Sequence, residues 1–376
     1  MEKVRIGLIG CGGISRAHVS GYRDLYTRGL KVFEIVAVCD VREAMARERG
    51  MEISFFQGTR PRVYTDYRKM LAEEDLEAVD IMVPNYLHHT IVMDCLEYVD
   101  VITEKPLAIT LRAAKRMIEK AKKENRILAV AENYRRGEES RAIKWAIEKG
   151  FIGKPRLVVW MSLYLQPKHM GWFYDKFKAG GSWIFDGGVH IADIDRYHLE
   201  REAVEVYALD HTFEPIREGK RMTVSDTTLA LIRYEDDILV QWSFSTAMPG
   251  RNIHMRVIYG SKGCIEGRRL RIQKGVRIEE VDVVREIMEQ IDESRREEWF
   301  PRGITNTFAI ELYDFYKAVV ERREPEVGGR EAYKDMAIPL AILESATIGE
   351  PVRIRDVEEL KIEEYQGVIN EKLNIT

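Results

Sequence analysis

The sequence predicts an α/β protein in which a doubly wound parallel sheet is followed by a mostly antiparallel sheet with helices. In the first 130 or so residues, short apolar runs rich in β-branched residues alternate with amphipathic stretches, which is typical of parallel strands covered by helices on both faces. Beyond about residue 135 the apolar runs are longer and turn residues separate them, which favours antiparallel pairing. A length of 376 residues fits two domains.

The first part is expected to alternate strand and helix. Its strands are predicted at Val4–Ile9, Phe33–Cys39, near Val63, and at Val79–Val83, Val101–Thr103 and Ile127–Ala131. Its clearest helical periodicity covers Ser15–Leu25, Ile91–Tyr98 and Ala113–Lys123.

The second part opens with a predicted helix over Ser140–Lys149, closed by Gly150. Strands are then predicted at Arg156–Leu165, Val204–Phe213, Thr227–Tyr234, Ile238–Ser245, Arg256–Gly260 and Leu270–Gln273. A solvated helix face at Glu293–Glu298 is expected next. Two further helices follow, one over Thr307–Glu321 and one from near Ala332 to just before Gly349-Glu350-Pro351.

Composition argues against several classes of partner. The 58 Lys and Arg against 62 Asp and Glu give a net charge of −4, so neither a basic nucleic-acid-binding surface nor an acidic tail is predicted. There is no run of 18 apolar residues, and the chain starts with a strand-like run rather than a signal peptide, so no membrane partner is predicted. Four widely spaced cysteines without a C-x-x-C pair favour a reducing compartment, and we expect a cytoplasmic protein.

A glycine-rich turn follows the first predicted strand and opens the first helix. The turn reads Gly10-Cys11-Gly12-Gly13-Ile14-Ser15. Its first glycine permits a tight turn, its second lets the backbone approach a pyrophosphate, and the helix N-terminus offers N–H groups to the anion. A lone match to the glycine-rich dinucleotide motif is weak evidence, but here the motif lies between a predicted strand and a predicted helix, as it should. Ser15 stands where glycine or alanine is usual. Gly10, Gly12, Gly13 and Ile14 are therefore predicted to bind a dinucleotide.

The second predicted strand ends at Asp40, 28 residues after Gly12. In this fold an acid at that position accepts hydrogen bonds from the adenosine ribose hydroxyls. Because a carboxylate repels a 2′-phosphate, NAD is favoured over NADP, while Arg42 keeps NADP open since a guanidinium can pair with that phosphate. The structural alternative is that Asp40 caps the next helix and Arg42 is solvated.

Two further polar clusters follow predicted strands. Pro84-Asn85, with His88 just beyond, comes after the fourth strand, and Glu104-Lys105-Pro106 comes after the fifth. Ligands bind outside the carboxyl ends of parallel strands, so Lys105 is expected near the nicotinamide. The alternative is a surface lysine at a helix entry. Pro106 makes a cis peptide bond more frequent than elsewhere in the chain.

A second candidate group lies in the later part of the chain. If residues 183–193 are helical, Asp186 and His190 share one face and Asp193 continues it. Gly187 and Gly188 would cost about 1 kcal/mol each in that helix, which is expected only if something approaches the backbone there. Histidine suits a general base for an alcohol. A structural polar pair and a metal site at Asp186, His190 and Asp193 are the alternatives, but hydride transfer needs no metal and none is predicted.

Four aromatic residues precede this helix: Tyr164, Trp172, Phe173 and Tyr174. Aromatic rings with polar tips suit the face of a sugar. Membership of an ordinary apolar core explains them equally well.

These motifs together resemble the glucose–fructose oxidoreductase, inositol dehydrogenase and rhizopine-catabolism family (Gfo/Idh/MocA). The matching pieces are Gly10-Cys11-Gly12-Gly13-Ile14…His18, Tyr64-Thr65-Asp66-Tyr67, Pro84-Asn85…His88, Glu104-Lys105-Pro106, Gly180-Gly181…Asp186…His190…Asp193, and Glu344-Ser345…Gly349-Glu350-Pro351-Val352. They span nearly the whole chain in the family's order.

The resemblance implies a Rossmann domain over residues 1–132 and a C-terminal α/β domain over residues 133–376, built on an open, mostly antiparallel sheet, with the last helices able to pack back on the first domain. That sheet is expected to form a homodimer or homotetramer. The resemblance assigns Lys105, Asp186 and His190 to catalysis, with Lys105–Pro106 often cis. It places Asn85 and His88 in the nicotinamide pocket with Glu104 beside it, and Asn133, Tyr134, Arg135 and Arg136 where family members reach toward cofactor or substrate. Pro84 and Lys105 are added to the expected cofactor residues by their place after the strands. Tyr164 and Trp172 are added to the expected substrate residues, beside the catalytic trio, by their aromatic rings.

The function expected from this resemblance is an NAD(P)-dependent oxidoreductase. It would transfer hydride between the nicotinamide and a hydroxyl-bearing carbon of a sugar, sugar derivative or cyclitol. One alternative is a family member that uses bound NAD transiently for glycoside cleavage or elimination. A non-catalytic dinucleotide sensor is a third hypothesis, against which the intact Lys105, Asp186 and His190 argue.

Overall fold

The computed structural model describes residues 3–375, so Met1, Glu2 and Thr376, at the outer ends of the two predicted domains, lie outside the described residues. The chain forms two compact units. The first consists of residues 3–108, 113–137 and 293–333, and the second of residues 109–112, 138–292 and 334–375. A single boundary in the sequence does not describe these units, because residues 293–333 return to the first one.

Helices and strands account for most of the described chain. The helices are α1 (Ser15–Thr27), α2 (Glu43–Gln57), α3 (Tyr67–Glu73), α4 (Asn85–Cys95), α5 (Leu111–Lys123), α6 (Glu138–Glu148), α7 (Lys176–Ala179), α8 (Trp183–Asp186), α9 (Gly188–Leu199), α10 (Val283–Gln290), α11 (Glu293–Trp299), α12 (Thr307–Glu321), α13 (Gly329–Ile348), α14 (Ile354–Glu358) and α15 (Glu364–Lys372). The strands are β1 (Val4–Ile9), β2 (Phe33–Cys39), β3 (Arg62–Tyr64), β4 (Ala78–Ile81), β5 (Asp100–Glu104), β6 (Leu128–Ala131), β7 (Pro155–Leu163), β8 (Ala203–His211), β9 (Ile216–Arg217), β10 (Lys220–Arg221), β11 (Thr227–Tyr234), β12 (Leu239–Ser245), β13 (Ile253–Gly260), β14 (Gly263–Glu266), β15 (Arg269–Lys274), β16 (Arg277–Asp282) and β17 (Val352–Arg353).

The first unit is built on a six-stranded sheet in the order β3-β2-β1-β4-β5-β6. Every neighbouring pair in it is parallel. The chain leaves β1 towards one edge through β2 and β3, then returns to β4 on the other side of β1, so the order reverses between β1 and β4. Ligands bind outside the carboxyl ends of the strands at such a reversal. The doubly wound Rossmann prediction is confirmed.

Helix α12 belongs to this first unit because it packs closely on α1. A Cβ atom at Gly21 of α1 would lie 2.9 Å from the backbone nitrogen of Ala309 in α12, so only glycine allows this approach. The predicted start of α4 at Ile91 was wrong: the helix begins at Asn85, directly after Pro84. His88 and His89 interrupt the apolar periodicity in the first turns and hide the true start from a sequence reading.

The second unit is built on a nine-stranded sheet in the order β16-β15-β14-β13-β7-β12-β11-β8-β17, and a separate hairpin pairs β9 with β10. Within residues 3–375, β7 and β12 are the only strands of this sheet that pair in parallel, so the prediction of a mostly antiparallel sheet is confirmed. Along β11 the residues alternate between buried and exposed positions, so the sheet has one buried face and one exposed face. No helix within residues 3–375 is both long and apolar enough to cross a membrane.

Candidate active site

The glycine turn closes the carboxyl end of β1 against the loop after β4. Gly10 has a φ of +94°, and a Cβ atom there would lie 2.4 Å from the carbonyl oxygen of Met82. Its backbone N–H donates to the carbonyl of Cys39 at 2.8 Å. Both the dihedral angle and the close backbone contact therefore require glycine at position 10.

The next two glycines, Gly12 and Gly13, border open space instead of packing against other protein atoms. A Cβ atom at Gly12 or Gly13 would meet no protein atom within 4 Å. The hydroxyl of Ser15 donates to the carbonyl of Gly12 at 2.7 Å and is buried, so a serine is accommodated where glycine or alanine is usual. Helix α1 begins at Ser15, and the open space beside Gly12 and Gly13 fits the diphosphate of a dinucleotide approaching its N-terminus.

Asp40, directly after β2, accepts hydrogen bonds from two backbone N–H groups. Its Oδ2 accepts the N–H of Cys11 at 2.8 Å and its Oδ1 accepts the N–H of Arg42 at 2.9 Å. The guanidinium of Arg42 lies 3.6 Å from the same carboxylate. A carboxylate has about four acceptor positions, so two remain for ribose hydroxyls after these bonds. Burial, with the charge of Asp40 as the next cause, raises the pKa of the Cys11 thiol to about 12.

The loops after β4 and β5 are joined through His88. Its Nδ1 lies 2.7 Å from the carbonyl oxygen of Pro106, and its Nε2 lies 2.8 Å from that of Val83. The ring is fully buried, and this burial lowers the pKa of His88. The sequence predicted a residue that lines the cofactor pocket, whereas the structure places both ring nitrogens against backbone carbonyls. Asn85, at the start of α4, is also buried.

The Glu104-Lys105-Pro106 motif lies at the carboxyl end of β5, as predicted. The Lys105–Pro106 peptide bond is cis. The carboxylate of Glu104 accepts the backbone N–H of Lys105 at 3.0 Å through Oε2, and its Oε1 lies 3.0 Å from Nε2 of His18. Glu104 is buried, and Lys105 is half-buried.

In the second unit, Asp186 and His190 lie on consecutive helical turns. Asp186 ends α8 and His190 lies in the first turn of α9. Gly187 between the two helices keeps helical dihedral angles, φ −82° and ψ −31°, so the two side chains project from the same face, as the spacing predicts. His190 is 9% exposed and Asp193 is fully buried.

The glycines of this helix are explained by the protein itself. A Cβ atom at Gly187 would lie 3.1 Å from the carbonyl oxygen of Trp183, and one at Gly188 would lie 3.1 Å from Cβ of Pro339. The prediction that something approaches the backbone here is correct for Gly188, where Pro339 of α13 lies close. At Gly187 the contact is with the carbonyl of its own preceding helical turn.

The remaining predicted residues differ in exposure. In the first unit, Asn133 is buried and its Nδ2 donates to Oγ1 of Thr307 at 3.3 Å, Arg135 is buried, and Tyr134 is exposed. In the second unit, the ring of Tyr164 lies 5.5 Å from that of His254, and burial raises the pKa of Tyr164 to about 12.

The other aromatic residues belong to an apolar core. Phe173 and Tyr174 are buried with Met222 and Val224, and the half-buried Trp172 and Trp183 pack against them. For Phe173 and Tyr174 the core interpretation is therefore correct, and the sugar-face interpretation is wrong.

The sequence reading missed Asp80 altogether and gave no role to His18 beyond its place in a motif. Asp80 is fully buried in the middle of β4, and His18 is fully buried in α1 at hydrogen-bond distance from it. The available signal was a carboxylate inside the apolar run Ala78-Val79-Asp80-Ile81. Among residues 3–375, no three His, Cys, Asp or Glu side chains are grouped so that they could hold a metal ion.

Comparison with known proteins agrees with this geometry. Residues 4–132 match the family model of the Gfo/Idh/MocA oxidoreductases, described as an oxidoreductase family with an NAD-binding Rossmann fold. Residues 140–266 match the model of the C-terminal domain of the same family.

Three individual proteins are similar over almost the whole chain. The 1,5-anhydro-D-fructose reductase of Ensifer adhaerens is 27% identical over 93% of this chain and 98% of its own. The myo-inositol 2-dehydrogenase of Thermotoga maritima is 27% identical over 94% of this chain and 99% of its own. The structure of a levoglucosan dehydrogenase in complex with NADH has the same fold, with a TM-score of 0.79 and 24% identity over 94% of this chain and 99% of its own.

Proposed function

This chain belongs to the Gfo/Idh/MocA family of NAD-binding oxidoreductases, and from that premise we propose that it is an NAD-dependent dehydrogenase acting on a CH–OH group of a sugar, sugar derivative or cyclitol. The observation that carries the proposal is the glycine turn, where Gly12 and Gly13 border open space and Asp40 anchors the loop. Full-length relatives that are named as a sugar reductase and an inositol dehydrogenase support the substrate class.

The proposed chemistry uses three side chains. Bound NAD supplies the nicotinamide carbon that accepts a hydride. His190 takes the proton of the substrate hydroxyl as general base, and Asp186 on the preceding turn orients its ring. The ammonium of Lys105 donates a hydrogen bond to the same oxygen and stabilises the negative charge that develops as the proton leaves. These roles are carried over from the family onto matching positions.

Cofactor preference is proposed to depend on Asp40. Its carboxylate is held by the N–H groups of Cys11 and Arg42, so it stays at the end of β2. A carboxylate fixed there accepts hydrogen bonds from the ribose hydroxyls and repels a 2′-phosphate, which favours NAD. The guanidinium of Arg42 lies beside that carboxylate, so the positive charge of Arg42 is partly compensated by Asp40. Less of that charge remains to pair with a 2′-phosphate, and NADP is therefore the less favoured cofactor.

Other residues are assigned on the family resemblance and the local geometry. In the proposed division by sequence, residues 1–132 form the dinucleotide-binding domain and supply the cofactor contacts, and residues 133–376 supply substrate and subunit contacts, although residues 133–137 and 293–333 pack in the first unit. Besides the glycine turn, Ile14 and Asp40, the cofactor residues are Arg42, Pro84, Asn85, His88, Glu104 and Lys105. The substrate residues are Asn133, Tyr134, Arg135, Tyr164 and Trp172, together with the catalytic trio. His88 contributes by holding the loops after β4 and β5 together.

We also propose that the chain forms a homodimer or homotetramer through the exposed face of its nine-stranded sheet. Leu229 and Leu231 of β11 are 51% and 63% exposed, and their cross-strand neighbours Leu209 and Tyr207 on β8 are exposed too. A contiguous apolar patch on a sheet face is typical of a protein interface. All four cysteines are free thiols, which supports a cytoplasmic location.

One experiment separates the three hypotheses. The protein is incubated with NAD and a panel of polyols that includes myo-inositol and levoglucosan, while nicotinamide absorbance and product composition are followed together. Formation of one NADH for each ketone product supports the dehydrogenase. Cleaved or dehydrated product without net NADH supports transient use of bound NAD. No turnover together with tight NAD binding supports a sensor.

A further inference from the structure

The first unit contains a buried charged cluster that the proposed chemistry does not use. We call it the His18 cluster, and it consists of His18 of α1, Asp80 of β4 and Glu104 of β5. His18 and Asp80 have no exposed surface, and Glu104 is 7% exposed. Charged groups are rarely buried unless they are paired, and here the imidazole lies between two carboxylates.

The imidazole of His18 bridges the two carboxylates. Its Nδ1 lies 2.9 Å from Oδ2 of Asp80, and its Nε2 lies 3.0 Å from Oε1 of Glu104. Both acceptors are carboxylate oxygens, so an N–H on each ring nitrogen satisfies both bonds, which describes an imidazolium. Burial opposes that charge, but the charges and hydrogen bonds of Asp80 and Glu104 outweigh it and raise the pKa of His18 well above its ordinary value.

The groups around the cluster do not replace His18. The hydroxyl of Tyr22 donates to Oδ2 of Asp80 at 3.1 Å and reaches only that carboxylate in the cluster. Glu311 of α12 is buried, burial raises its pKa well above the usual value, and no cation comes from this residue. The ring of Phe308 packs against His18 with 5.3 Å between centroids. His18 is thus the side chain that links the Asp80 carboxylate to that of Glu104.

The second oxygen of Glu104 connects the cluster to Lys105. Oε2 of Glu104 accepts the backbone N–H of Lys105 at 3.0 Å. One carboxylate therefore binds His18 on one side and the main chain of Lys105 on the other. Because a carboxylate is a rigid planar group, holding Oε1 at His18 restricts where Oε2 can lie.

We propose that His18 is a positioning residue for the reaction, which holds the Glu104 carboxylate in place and thereby fixes the main chain from which the Lys105 side chain starts. The inference rests on the proposed role of Lys105. Without the bridge, Asp80 and Glu104 lose their shared counter-charge and Glu104 turns away from the Lys105 amide. A displacement of about 1 Å at a catalytic group can lower the rate by about a hundredfold.

The test compares His18→Gln with Tyr22→Phe as the matched control. Both variants remove one hydrogen bond to Oδ2 of Asp80 from a fully buried side chain of α1. Only His18→Gln also removes the cation shared with Glu104, because a neutral amide with one nitrogen cannot replace an imidazolium that bridges two carboxylates. We expect His18→Gln to lower kcat by at least about tenfold, with the Kd for NAD changed less than about threefold. Tyr22→Phe is expected to lower the melting temperature while leaving kcat close to that of the wild type.

A second readout does not depend on turnover. Hydrogen exchange of the Lys105 amide reports whether Glu104 still accepts its N–H. We expect faster exchange at Lys105 in His18→Gln than in Tyr22→Phe. If the wild type oxidises no polyol, the proposed function fails, but the exchange measurement still tests the positioning of Lys105.

A double variant separates positioning from general damage. Glu104→Ala removes the shared carboxylate, so adding His18→Gln to it should reduce kcat no further than Glu104→Ala alone. If the His18→Gln variant does not fold, the double variant His18→Gln/Asp80→Asn is compared with the single variant Asp80→Asn. The double variant buries one carboxylate charge fewer than His18→Gln alone. Equal Lys105 exchange in His18→Gln and Tyr22→Phe, or additive losses in the double variant, would overturn the proposal.

Discussion

The backbone N–H of Cys11 donates to Oδ2 of Asp40 at 2.8 Å. The acid at the end of β2 therefore anchors the glycine turn. It does not cap α2, whose N-cap is Arg42 and has no side-chain hydrogen bond, and its contact with the ribose stays a prediction. Since the other oxygen accepts the Arg42 N–H at 2.9 Å, the carboxylate is held from two sides. Any substitution at Asp40 changes the loop and the charge together, and a test must separate them.

Asp40→Asn keeps the shape of the side chain but removes its charge and one acceptor oxygen. We expect the Kd for NADH to rise about tenfold, because a hydrogen bond to a charged group contributes about 1.5–3 kcal/mol. The Kd for NADPH should change less, since the repulsion of its 2′-phosphate is also removed. Titration of both cofactors by calorimetry measures the difference.

Asp66→Asn is the matched control. Asp66 follows β3 and accepts the N–H of Arg68 at 2.9 Å as the N-cap of α3. Asparagine caps helices about as well as aspartate, so neither cofactor affinity should change. Equal losses in Asp40→Asn and Asp66→Asn would remove Asp40 from the cofactor site.

Lys105→Ala and His190→Ala test the proposed chemistry. Each should lower kcat at least about a hundredfold, since a positioned base contributes about 10²–10⁴ to the rate and a donor to the developing negative charge about 10²–10³. NAD binding, followed by calorimetry, should survive in both. Unchanged turnover in either variant would exclude that residue from the reaction.

His198→Gln controls for damage to α9. His198 lies two turns beyond His190, and its Nε2 lies 2.9 Å from Oγ of Ser140. This variant should lower the melting temperature of the protein, because a buried hydrogen bond is altered, while the turnover of the folded fraction stays near that of the wild type. A loss of turnover as large as that in His190→Ala would assign the effect to the helix rather than to the imidazole.

Much of the fold was predictable because the residues that a strand or helix buries recur in the sequence with the period of that element. The predicted bounds of β1 and β2 match the structure residue for residue, and so do those of α12, Thr307–Glu321. Strand β16 was missed for a physical reason. Its sequence, Arg277–Asp282, is mostly exposed and has no apolar face, and it pairs with β15 through backbone bonds and the ion pair of Arg271 with Glu280.

The candidate site was predictable only where a motif is local. The turn from Gly10 to Ser15 carries its function in six consecutive residues. The link from His18 to Asp80 joins positions that are 62 residues apart, and no periodicity reveals which buried carboxylate a histidine will bind. Likewise, the close contact of Gly188 with Pro339 depends on a helix 151 residues further along the chain.

Leu231→Arg tests the proposed subunit interface. Leu231 lies at the centre of the exposed face of β11, between Tyr207 and Gln241 on the neighbouring strands. A charge buried at an apolar interface without a partner is strongly unfavourable, so we expect the variant to have a lower molar mass in solution. Light scattering after gel filtration measures it. Val276→Arg, a fully exposed residue in the turn between β15 and β16, should leave the mass unchanged. A monomeric wild type would contradict the interface.

Stability at acid pH is expected to depend on Glu202. Its carboxylate lies 2.7 Å from Nε of Arg196 and 2.8 Å from Nζ of Lys334. Burial opposes ionisation, but these two cations outweigh it and lower the pKa of Glu202 to about 2. A carboxyl whose pKa falls on folding stabilises the protein above its unfolded pKa of about 4.3, and this contribution is lost as the pH falls towards 2.

Glu202→Gln should therefore be less stable than the wild type at pH 7, and the difference should shrink between about pH 4.5 and pH 2. Urea midpoints measured across this range give the difference directly. Glu235→Gln is a suitable control, since the Glu235 carboxylate accepts the backbone N–H of Glu202 at 3.1 Å, a bond that the amide oxygen of glutamine can keep. A difference between wild type and Glu202→Gln that does not vary with pH would contradict the ion-pair assignment.

Gly10 and Gly12 allow folding to be separated from cofactor binding, because alanine meets different surroundings at the two positions. At Gly12 a Cβ atom has no protein atom within 4 Å, so Gly12→Ala should fold with a melting temperature near that of the wild type. Its methyl group then occupies the space assigned to the diphosphate, and we expect the Kd for NAD to rise at least about tenfold. At Gly10 the Cβ atom would lie 2.4 Å from the carbonyl oxygen of Met82, and the positive φ alone costs about 1–3 kcal/mol. Gly10→Ala should therefore unfold at a clearly lower temperature, with or without NAD. If Gly12→Ala binds NAD as tightly as the wild type, the diphosphate lies elsewhere and the cofactor assignment of this turn is wrong.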